Sequence, residues 1–295
     1  MFAKWVCKLN IIVKLVKNPM SIPMKHAIVL ALLIHVFVAS YSQELETSVI
    51  EDLKTCFEQY DVTGSILFLD RNAHHRYVYN PEWLDRPTSP ASTFKIFNSL
   101  VGLESGVIPD TSYTIPWDSV RRGTYAPWHR TNSLKSAFKF SVVWYYQELA
   151  RRVGPEKMNK YVRQNHYGNE DIGPQVDQFW LGDLGGKLRI TMEEQLDFLE
   201  RLYDEKLKFR RKNQRLVKAI MLDGASSTDF KMYGKTGATN YDGKSYGWYV
   251  GWIEQDNNVF FFTTLIESTD PKKILGGGRK GITQAVYQQV RKLRS

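Results

Sequence analysis

The chain contains very little cysteine. Its 295 residues include only Cys7 and Cys56. Because Cys7 lies in an N-terminal leader-like segment, the rest of the chain has a single thiol and can form no intramolecular disulfide. Neither a His-Glu-x-x-His pattern nor a paired-cysteine pattern occurs, and the adjacent His74 and His75 are more typical of an exposed turn than of zinc ligands. The sequence therefore predicts a fold that depends on neither disulfides nor a metal.

A strong positive charge is also missing once the N-terminal segment is set aside. The formal net charge is +9, but residues 1–42 contain five lysines and no acidic residue, which leaves +4 on residues 43–295. Such a balance gives no reason to expect a nucleic-acid partner. Internal repeats and low-complexity tracts are absent as well. One globular unit of about 250 residues is expected after the leader.

No apolar run near the N-terminus is long enough to cross a bilayer comfortably. The run over residues 27–39 has 13 residues, whereas a membrane-spanning helix needs about 20. It follows a short positive segment beginning at Met24 and precedes the small residues of 40–42, so signal-peptide cleavage is expected before Gln43. Residues 1–23 indicate either an extended leader or a true start at Met24. An uncleaved membrane anchor is the alternative.

Strand patterns occur at both ends of residues 43–295, and helical patterns with aromatic loops dominate residues 92–222. The expected elements are a helix over 45–60, strands over 64–70, 75–79, 230–235, 246–254 and 259–267, and an amphipathic helix over 281–294. This order predicts an α+β fold with a central antiparallel sheet, flanking terminal helices and an inserted all-α subdomain. A ligand would bind in the cleft between sheet and subdomain.

Two short motifs carry nucleophile chemistry. Ser92 and Lys95 are three residues apart, so on a helix their Cβ atoms lie about 5–6 Å apart on one face. A lysine at that distance can take a proton from the hydroxyl and activate it. Lys235-Thr236-Gly237 offers a cation and a hydroxyl to a substrate carboxylate, with Gly237 allowing close approach to the ligand. The pairing of Ser-x-x-Lys with Lys-Thr-Gly is typical of penicillin-recognising enzymes.

A second Ser-x-x-Lys, Ser136 with Lys139, shows that the first motif alone is weak. The mostly apolar residues 96–103 predict a buried helix whose N-terminal N–H groups point at Ser92. Burial would depress the pKa of Lys95, an effect less expected for Lys139 amid Ser, Lys and Phe. Taken alone, however, Ser92 as a helix cap and Lys95 as a solvated residue are equally acceptable interpretations.

Three further segments lie between the two motifs. They are Ser141-Val142-Val143 at the start of a helix, Tyr167-Gly168-Asn169 in a turn, and Phe179-Trp180-Leu181 beside a glycine. In this combination and order, the chain resembles the class D β-lactamases, the oxacillinases, over essentially all of residues 43–295. The resemblance implies a serine β-lactamase with the penicillin-binding transpeptidase-like fold. Such an enzyme would be periplasmic in bacteria, hydrolyse the amide of penicillin-type antibiotics and confer resistance.

The resemblance implies roles for three reacting residues. Ser92 would be the nucleophile that forms the acyl-enzyme. Lys95, carboxylated on its amine by CO₂ or bicarbonate, would be the general base for acylation and deacylation, and no other cofactor or metal is implied. Ser141 would pass a proton toward the leaving nitrogen, although its position alone is equally typical of a helix N-cap.

The resemblance also implies the surroundings of these residues. Val143, Trp180 and Leu181 would line the carbamate pocket, with Trp180 donating its single indole N–H. The alternative for Trp180 is a core aromatic. The turn over residues 167–169 would support the cleft structurally.

Substrate binding is implied for residues near the C-terminus. They are Lys235, Thr236, Gly237, Ala238 and Arg279. The lysine, threonine and arginine would hold the substrate carboxylate, and the N–H groups of Ser92 and Ala238 would form the oxyanion hole. Read alone, Arg279 is equally well a solvated loop charge.

Two positions depart from the family pattern. Trp144 stands where many relatives have proline, and Ala238 where a large aromatic is common. The small Ala238 would open one wall of the cleft, which affects substrate range rather than the reaction.

Two other classes of protein share part of this pattern. A β-lactam sensor or penicillin-binding protein would acylate at Ser92 without turnover. A Gly-x-Ser-x-Gly match at residues 243–247 would suggest a different hydrolase. That elbow needs a helix after it, and a strand pattern follows instead, so a hairpin turn is expected.

Overall fold

A six-stranded sheet organises the part of the chain that the computed structural model describes, residues 45–224 and 226–293. Its strands are β1 (Glu46–Val49), β2 (Thr63–Asp70), β3 (His75–Tyr79), β6 (Lys231–Tyr241), β7 (Lys244–Gln255) and β8 (Asn258–Ser268). Their order across the sheet is β1-β3-β2-β8-β7-β6. β1 runs parallel to β3, and every other neighbouring pair is antiparallel. The expected leader and its cleavage position lie outside the described residues.

Helices come from the middle of the chain and from both ends of the described part. They are α1 (Lys54–Glu58), α2 (Lys95–Glu104), α3 (Leu134–Lys139), α4 (Val143–Val153), α5 (Pro155–Gln164), α6 (Met192–Tyr203), α7 (Arg211–Ile220), α8 (Pro271–Leu275) and α9 (Gly278–Leu293). Between α2 and α3, β4 (Thr114–Ile115) pairs with β5 (Asn132–Ser133). Within the described ranges, no helix combines the length and apolar character needed to cross a bilayer.

The sheet separates two hydrophobic cores. Along β2, Ile66 and Phe68 point into a core shared with α1 and α9, whereas Leu67 and Leu69 point into the core of the helical subdomain. This alternation follows from the two-residue repeat of a strand. Because both faces are covered, β7 and β8 are buried almost throughout their length.

The α+β architecture predicted from the sequence is confirmed, including the early hairpin and the three later strands. The Gly-x-Ser-x-Gly match also lies where expected, in the turn into β7. There Asp242 and Gly243 have φ values of 52° and 71°, and the Ser245 hydroxyl donates to Oδ1 of Asn240 at 2.6 Å. A hydroxyl held in a hairpin end is not a nucleophile elbow.

Three details of the prediction were wrong. The helix expected over residues 45–60 is a strand, β1, followed by a 3-10 turn and the short α1, because pairing with β3 outweighs the local helical periodicity. The inserted subdomain is not all-α, since it contains the β4–β5 ribbon. The closing helix begins at Gly278, three residues earlier than expected, which places Arg279 in its first turn rather than in a loop.

Candidate active site

Ser92 and Lys95 meet where a 3-10 turn, Ala91–Phe94, runs into α2. The Nζ of Lys95 lies 2.7 Å from the Oγ of Ser92 and donates a hydrogen bond to it. Of residues 91–103, Ser92 alone is not fully buried. The segment therefore exposes one hydroxyl and keeps an amine directly behind it.

Burial changes the protonation of this amine. Loss of hydration lowers the pKa of Lys95 from 10.5 to about 7, and the negative charge of Asp183 opposes only part of that shift. A substantial fraction of Lys95 is therefore neutral at neutral pH. A neutral amine can accept the Ser92 proton, and it is also the form that reacts with CO₂.

The second Ser-x-x-Lys has a different structure. Ser136 forms a capping box with Ser133 at the start of α3. Lys139 is exposed at the end of that helix. Since neither a buried amine nor a contact between serine and lysine is present there, only the first copy of the motif has nucleophile geometry.

Trp180 packs against the serine turn from the protein interior. Its ring stacks on Phe94 with centroids 5.2 Å apart. Its carbonyl accepts hydrogen bonds from the Ala91 N–H at 3.1 Å and the Ser89 hydroxyl at 3.0 Å. The Trp180 Nε1 is buried and has no hydrogen-bond partner in the described chain. A buried donor without an acceptor costs about 1–3 kcal/mol, so this indole is suited to an acceptor beside it.

The other two residues expected around Lys95 lie in the same hydrophobic core as Trp180. Leu181 is buried, and Val143 is partly buried as the first residue of α4. The residues of the expected carbamate pocket thus share one apolar environment.

Ser141 lies in the turn between α3 and α4, with a left-handed φ of 53°. Its Oγ accepts a hydrogen bond from the Nζ of Lys235 at 3.0 Å. The alternative that Ser141 caps α4 is excluded, because the capping position is Val142 and no side chain caps that end. The hydroxyl is instead directed to the Lys-Thr-Gly strand.

Lys235 is a second buried lysine in this site. Burial lowers its pKa well below the usual value, and the positive charges of Lys95 and Arg279 lower it further. Its Nζ also donates to the Thr236 carbonyl at 2.9 Å. Two neighbouring ammonium groups repel each other. The site therefore favours either an anion bound between Lys95 and Lys235 or the loss of a proton from one of the two lysines.

The Lys-Thr-Gly motif lies on β6, the outer strand of the sheet. Lys235 and Gly237 face the serine turn, Thr236 between them is half-buried, and Ala238 packs near the terminal helices. A Cβ added at Gly237 would lie 2.9 Å from the Pro90 carbonyl oxygen. The expected close approach at this glycine is therefore an approach to the serine turn itself.

Arg279 connects the terminal helix to the same strand. From the first turn of α9, its Nη1 donates to the Gly237 carbonyl at 2.7 Å. Burial lowers the pKa of Arg279 to about 10. Gly247 on β7 leaves room for it, since a Cβ there would lie 2.8 Å from its Cδ. Arg279 is thus a half-buried cation beside the strand, and its interpretation as a solvated loop charge is excluded.

The turn at residues 167–169 supports the serine turn from behind. Gly168 has a φ of 55°, and a Cβ there would lie 2.1 Å from the Arg189 carbonyl oxygen. The Asn169 N–H donates to that same carbonyl at 2.9 Å. The ring of Tyr167 packs edge-on against Phe94 at 5.6 Å.

Sequence reasoning missed Thr239 and Tyr146. Thr239 Oγ1 accepts a hydrogen bond from the Asp183 N–H at 3.2 Å and so joins β6 to the loop after Trp180. The Lys95 Nζ lies 5.3 Å from the centroid of the Tyr146 ring. Thr239 follows Gly237 by two residues and so shares its face of the strand. Tyr146 follows Val143 by about one helical turn. Both residues could therefore have been predicted from the strand and helix periodicities.

Comparison with known proteins assigns this arrangement to a family. Residues 60–290 match the family model of the penicillin-binding protein transpeptidase domain. The chain is 38% identical to β-lactamase OXA-48 of Klebsiella pneumoniae over 79% of this chain and 85% of that protein. A class D β-lactamase from Sebaldella termitidis has a TM-score of 0.78 at 30% identity, covering 84% of this chain and 98% of that chain. The chain belongs to the class D β-lactamases.

One of the relatives of this class D β-lactamase is named as a regulatory protein. The chain is 33% identical to regulatory protein BlaR1 of Bacillus licheniformis over 74% of its own length, but covers only 35% of that protein. The β-lactamases OXA-48 and OXA-20, the latter from Pseudomonas aeruginosa and 34% identical, are covered to 85% and 86%.

Proposed function

We propose that this class D β-lactamase hydrolyses penicillin-type antibiotics through an acyl-enzyme at Ser92. The 2.7 Å contact between the Ser92 Oγ and the Nζ of the fully buried Lys95 carries this proposal. The amine is positioned to receive the hydroxyl proton as the oxygen attacks the β-lactam carbonyl. Opening of the strained ring then leaves the acyl group on Ser92, and water releases it.

The leaving nitrogen needs a proton, and the Ser141–Lys235 pair is suited to supply it. The Ser141 hydroxyl can pass its proton to the nitrogen while Lys235, 3.0 Å away, replaces it. The lowered pKa of Lys235 makes its ammonium a better proton donor than an exposed lysine. The same lysine, with Thr236 and Arg279, would bind the substrate carboxylate, and the N–H groups of Ser92 and Ala238 would bind the oxyanion.

The residues around Lys95 fit a carbamate on its Nζ. The amine is fully buried and partly neutral, and the Trp180 Nε1 is a buried donor that can bind an oxygen acceptor. A carbamate formed from CO₂ would supply the general base for acylation and deacylation. Val143 and Leu181 would keep the pocket apolar and limit its hydration.

The proposal is tested by hydrolysis of a chromogenic cephalosporin by residues 43–295, in CO₂-depleted buffer and again with added bicarbonate. Sustained turnover that rises with bicarbonate is expected. A stoichiometric burst that stops in both buffers would instead indicate a stable acyl-enzyme. The similarity to BlaR1 makes that second outcome, a β-lactam sensor or penicillin-binding protein, the alternative function.

Replacement of Trp180 by Phe tests the carbamate separately. The variant keeps the aromatic ring on Phe94 but loses the indole donor, so slower deacylation and a stronger dependence on bicarbonate are expected. Trp252→Phe is the matched control, since its Nε1 is also buried without a hydrogen-bond partner among the described residues, but its ring packs against Tyr233. Equal turnover by Trp180→Phe with and without bicarbonate would remove the proposed role of the indole.

We infer that the protein is exported, with cleavage before Gln43 and no stable membrane association afterwards. The segment from Met24 to residue 42 supports this proposal, because it has the positive start, short apolar run and small residues of a signal peptide. The mass of the protein recovered from the periplasm of an expressing bacterium tests it. A mass that includes residues 24–42 would contradict cleavage.

A further inference from the structure

The backbone at Ser141 adopts a left-handed conformation that is unfavourable for serine and is therefore maintained by surrounding contacts. Ser141 has a φ of 53°, in a region that costs a non-glycine residue free energy. The Ser141 N–H donates to the Phe138 carbonyl at 3.2 Å, and the Val142 N–H to the Ala137 carbonyl at 2.9 Å. These two bonds fix the side of the turn that faces α3. The conformation of its other side, residues 140–144, depends on other contacts.

Two indoles close the turn on that far side. The Trp128 Nε1 donates to the carbonyl of Phe140, the residue before Ser141, at 3.0 Å. The Trp144 Nε1 donates to the carbonyl of Trp128 at 2.8 Å. Trp128 therefore bridges the two ends of the segment 140–144, and the two hydrogen bonds complete a ring around Ser141.

Because of where Trp128 and Trp144 lie, the loss of this bridge should affect mainly the turn at residues 140–144. Trp144 is buried in the first turn of α4, and Trp128 is the last residue of a 3-10 turn, Ala126–Trp128, between β4 and β5. Loss of either indole N–H would leave a carbonyl of this ring without its donor and relax the strained backbone. The Ser141 hydroxyl would then no longer be fixed relative to Lys235.

We propose that Trp128 and Trp144 are positioning residues that hold Ser141 in register with Lys235. This inference rests on the proposed function, because it assigns them an effect on the reaction that passes entirely through Ser141. Both indole N–H groups donate to backbone carbonyls rather than to the side chains of Ser141 or Lys235. The two residues act as one unit, since both hydrogen bonds belong to the same ring.

The test is a double-mutant cycle measured on the acylation rate constant with a fluorescent penicillin. An acylation rate is measurable for an enzyme and for a sensor alike, so loss of turnover alone does not affect this test. In the wild-type background, Trp144→Phe is expected to slow acylation about tenfold, the effect of one hydrogen bond. In a Ser141→Ala background the same change is expected to have no further effect.

Trp117→Phe is the matched control, because its indole also donates to a carbonyl at 3.1 Å, but to Val120 within the same loop. It is expected to leave acylation unchanged in both backgrounds. Trp128→Phe should reproduce the loss seen with Trp144→Phe, and the double variant should be no slower than either. A Trp144→Phe loss of equal size with and without the Ser141 hydroxyl would overturn the proposal, as would an equal loss in Trp117→Phe.

Discussion

The Nζ of Lys235 donates a 3.0 Å hydrogen bond to the Oγ of Ser141, and this contact joins the outer strand of the sheet to the turn between α3 and α4. The two groups belong to segments that are 94 residues apart in sequence. A proton path that crosses between sheet and subdomain depends on both groups being present. Their effects on acylation should therefore be coupled.

We expect Lys235→Ala and Ser141→Ala each to slow acylation by about 10²-fold or more, the usual range for a group that transfers protons. The double variant should lose much less than the product of the two, because the second change removes a path already broken. Lys218→Ala is the control, since that lysine pairs with Glu205 instead. Pre-steady-state acylation of a chromogenic substrate measures the wild type and all four variants, and multiplicative losses would contradict a shared path.

Lys95 should not tolerate arginine. A guanidinium stays charged at every accessible pH, so Lys95→Arg is expected to lose turnover by about 10³-fold or more while keeping a positive charge. Lys139→Arg makes the same chemical change in the second Ser-x-x-Lys, on an exposed residue, and should leave turnover unchanged. Steady-state hydrolysis measures both variants, and turnover by Lys95→Arg within about tenfold of the wild type would rule out a neutral amine or its carbamate as the base.

The lowered pKa of Lys95 predicts how stability depends on pH. Between about 7 and 10.5 the unfolded chain holds a proton on this lysine that the folded chain has lost. The free energy of unfolding should therefore rise with pH across that window, with a contribution of up to about 1.4 kcal/mol per pH unit. Below pH 7 both states are protonated and this contribution to the slope disappears.

Urea unfolding in CO₂-free buffer at pH 7, 8 and 9 tests this relation. Lys95→Met keeps an unbranched, buried side chain and removes the ionisable group. The wild type should gain stability relative to Lys95→Met as the pH rises. Parallel pH profiles for the two proteins would show that Lys95 titrates normally in the folded state.

Much of the site was predictable because its chemistry is local. The apolar residues after Ser92 predicted a buried helix, and burial of Lys95 followed from it. The strand that carries Lys235 was also predicted, over residues 230–235, although it extends to Tyr241. What the sequence could not indicate is which backbone carbonyls the side chains would meet. Trp144 was visible as an unusual residue, but its partner is the carbonyl of Trp128, 16 residues earlier.

The errors in the predicted fold have the same origin. Residues 45–60 have a helical pattern of apolar positions, yet residues 46–49 form β1 because β3 offers an unpaired edge. Likewise, Arg279 read alone was equally acceptable as a solvated loop charge, although α9 begins at Gly278 and the Arg279 Nη1 donates to the Gly237 carbonyl. In both cases a contact distant in sequence decides the local structure, and local patterns contain no information about it.

The position of Gly237 should not tolerate even the methyl side chain of alanine. A Cβ there would lie 2.9 Å from the Pro90 carbonyl and 3.3 Å from the Thr93 N–H, so β6 must move away from the turn that holds Ser92. Because these neighbours are backbone atoms, the clash cannot be relieved by a rotamer change.

We expect Gly237→Ala to slow acylation by about 10²-fold, the effect of a misplacement of roughly 1 Å. The fold should persist, since overpacking of this kind typically costs about 1–3 kcal/mol. Gly224→Ala is the matched control, because a Cβ there meets no atom within 4 Å. Acylation kinetics and urea unfolding of both variants separate the two effects: wild-type acylation by Gly237→Ala would show that the spacing between β6 and the serine turn does not limit the reaction.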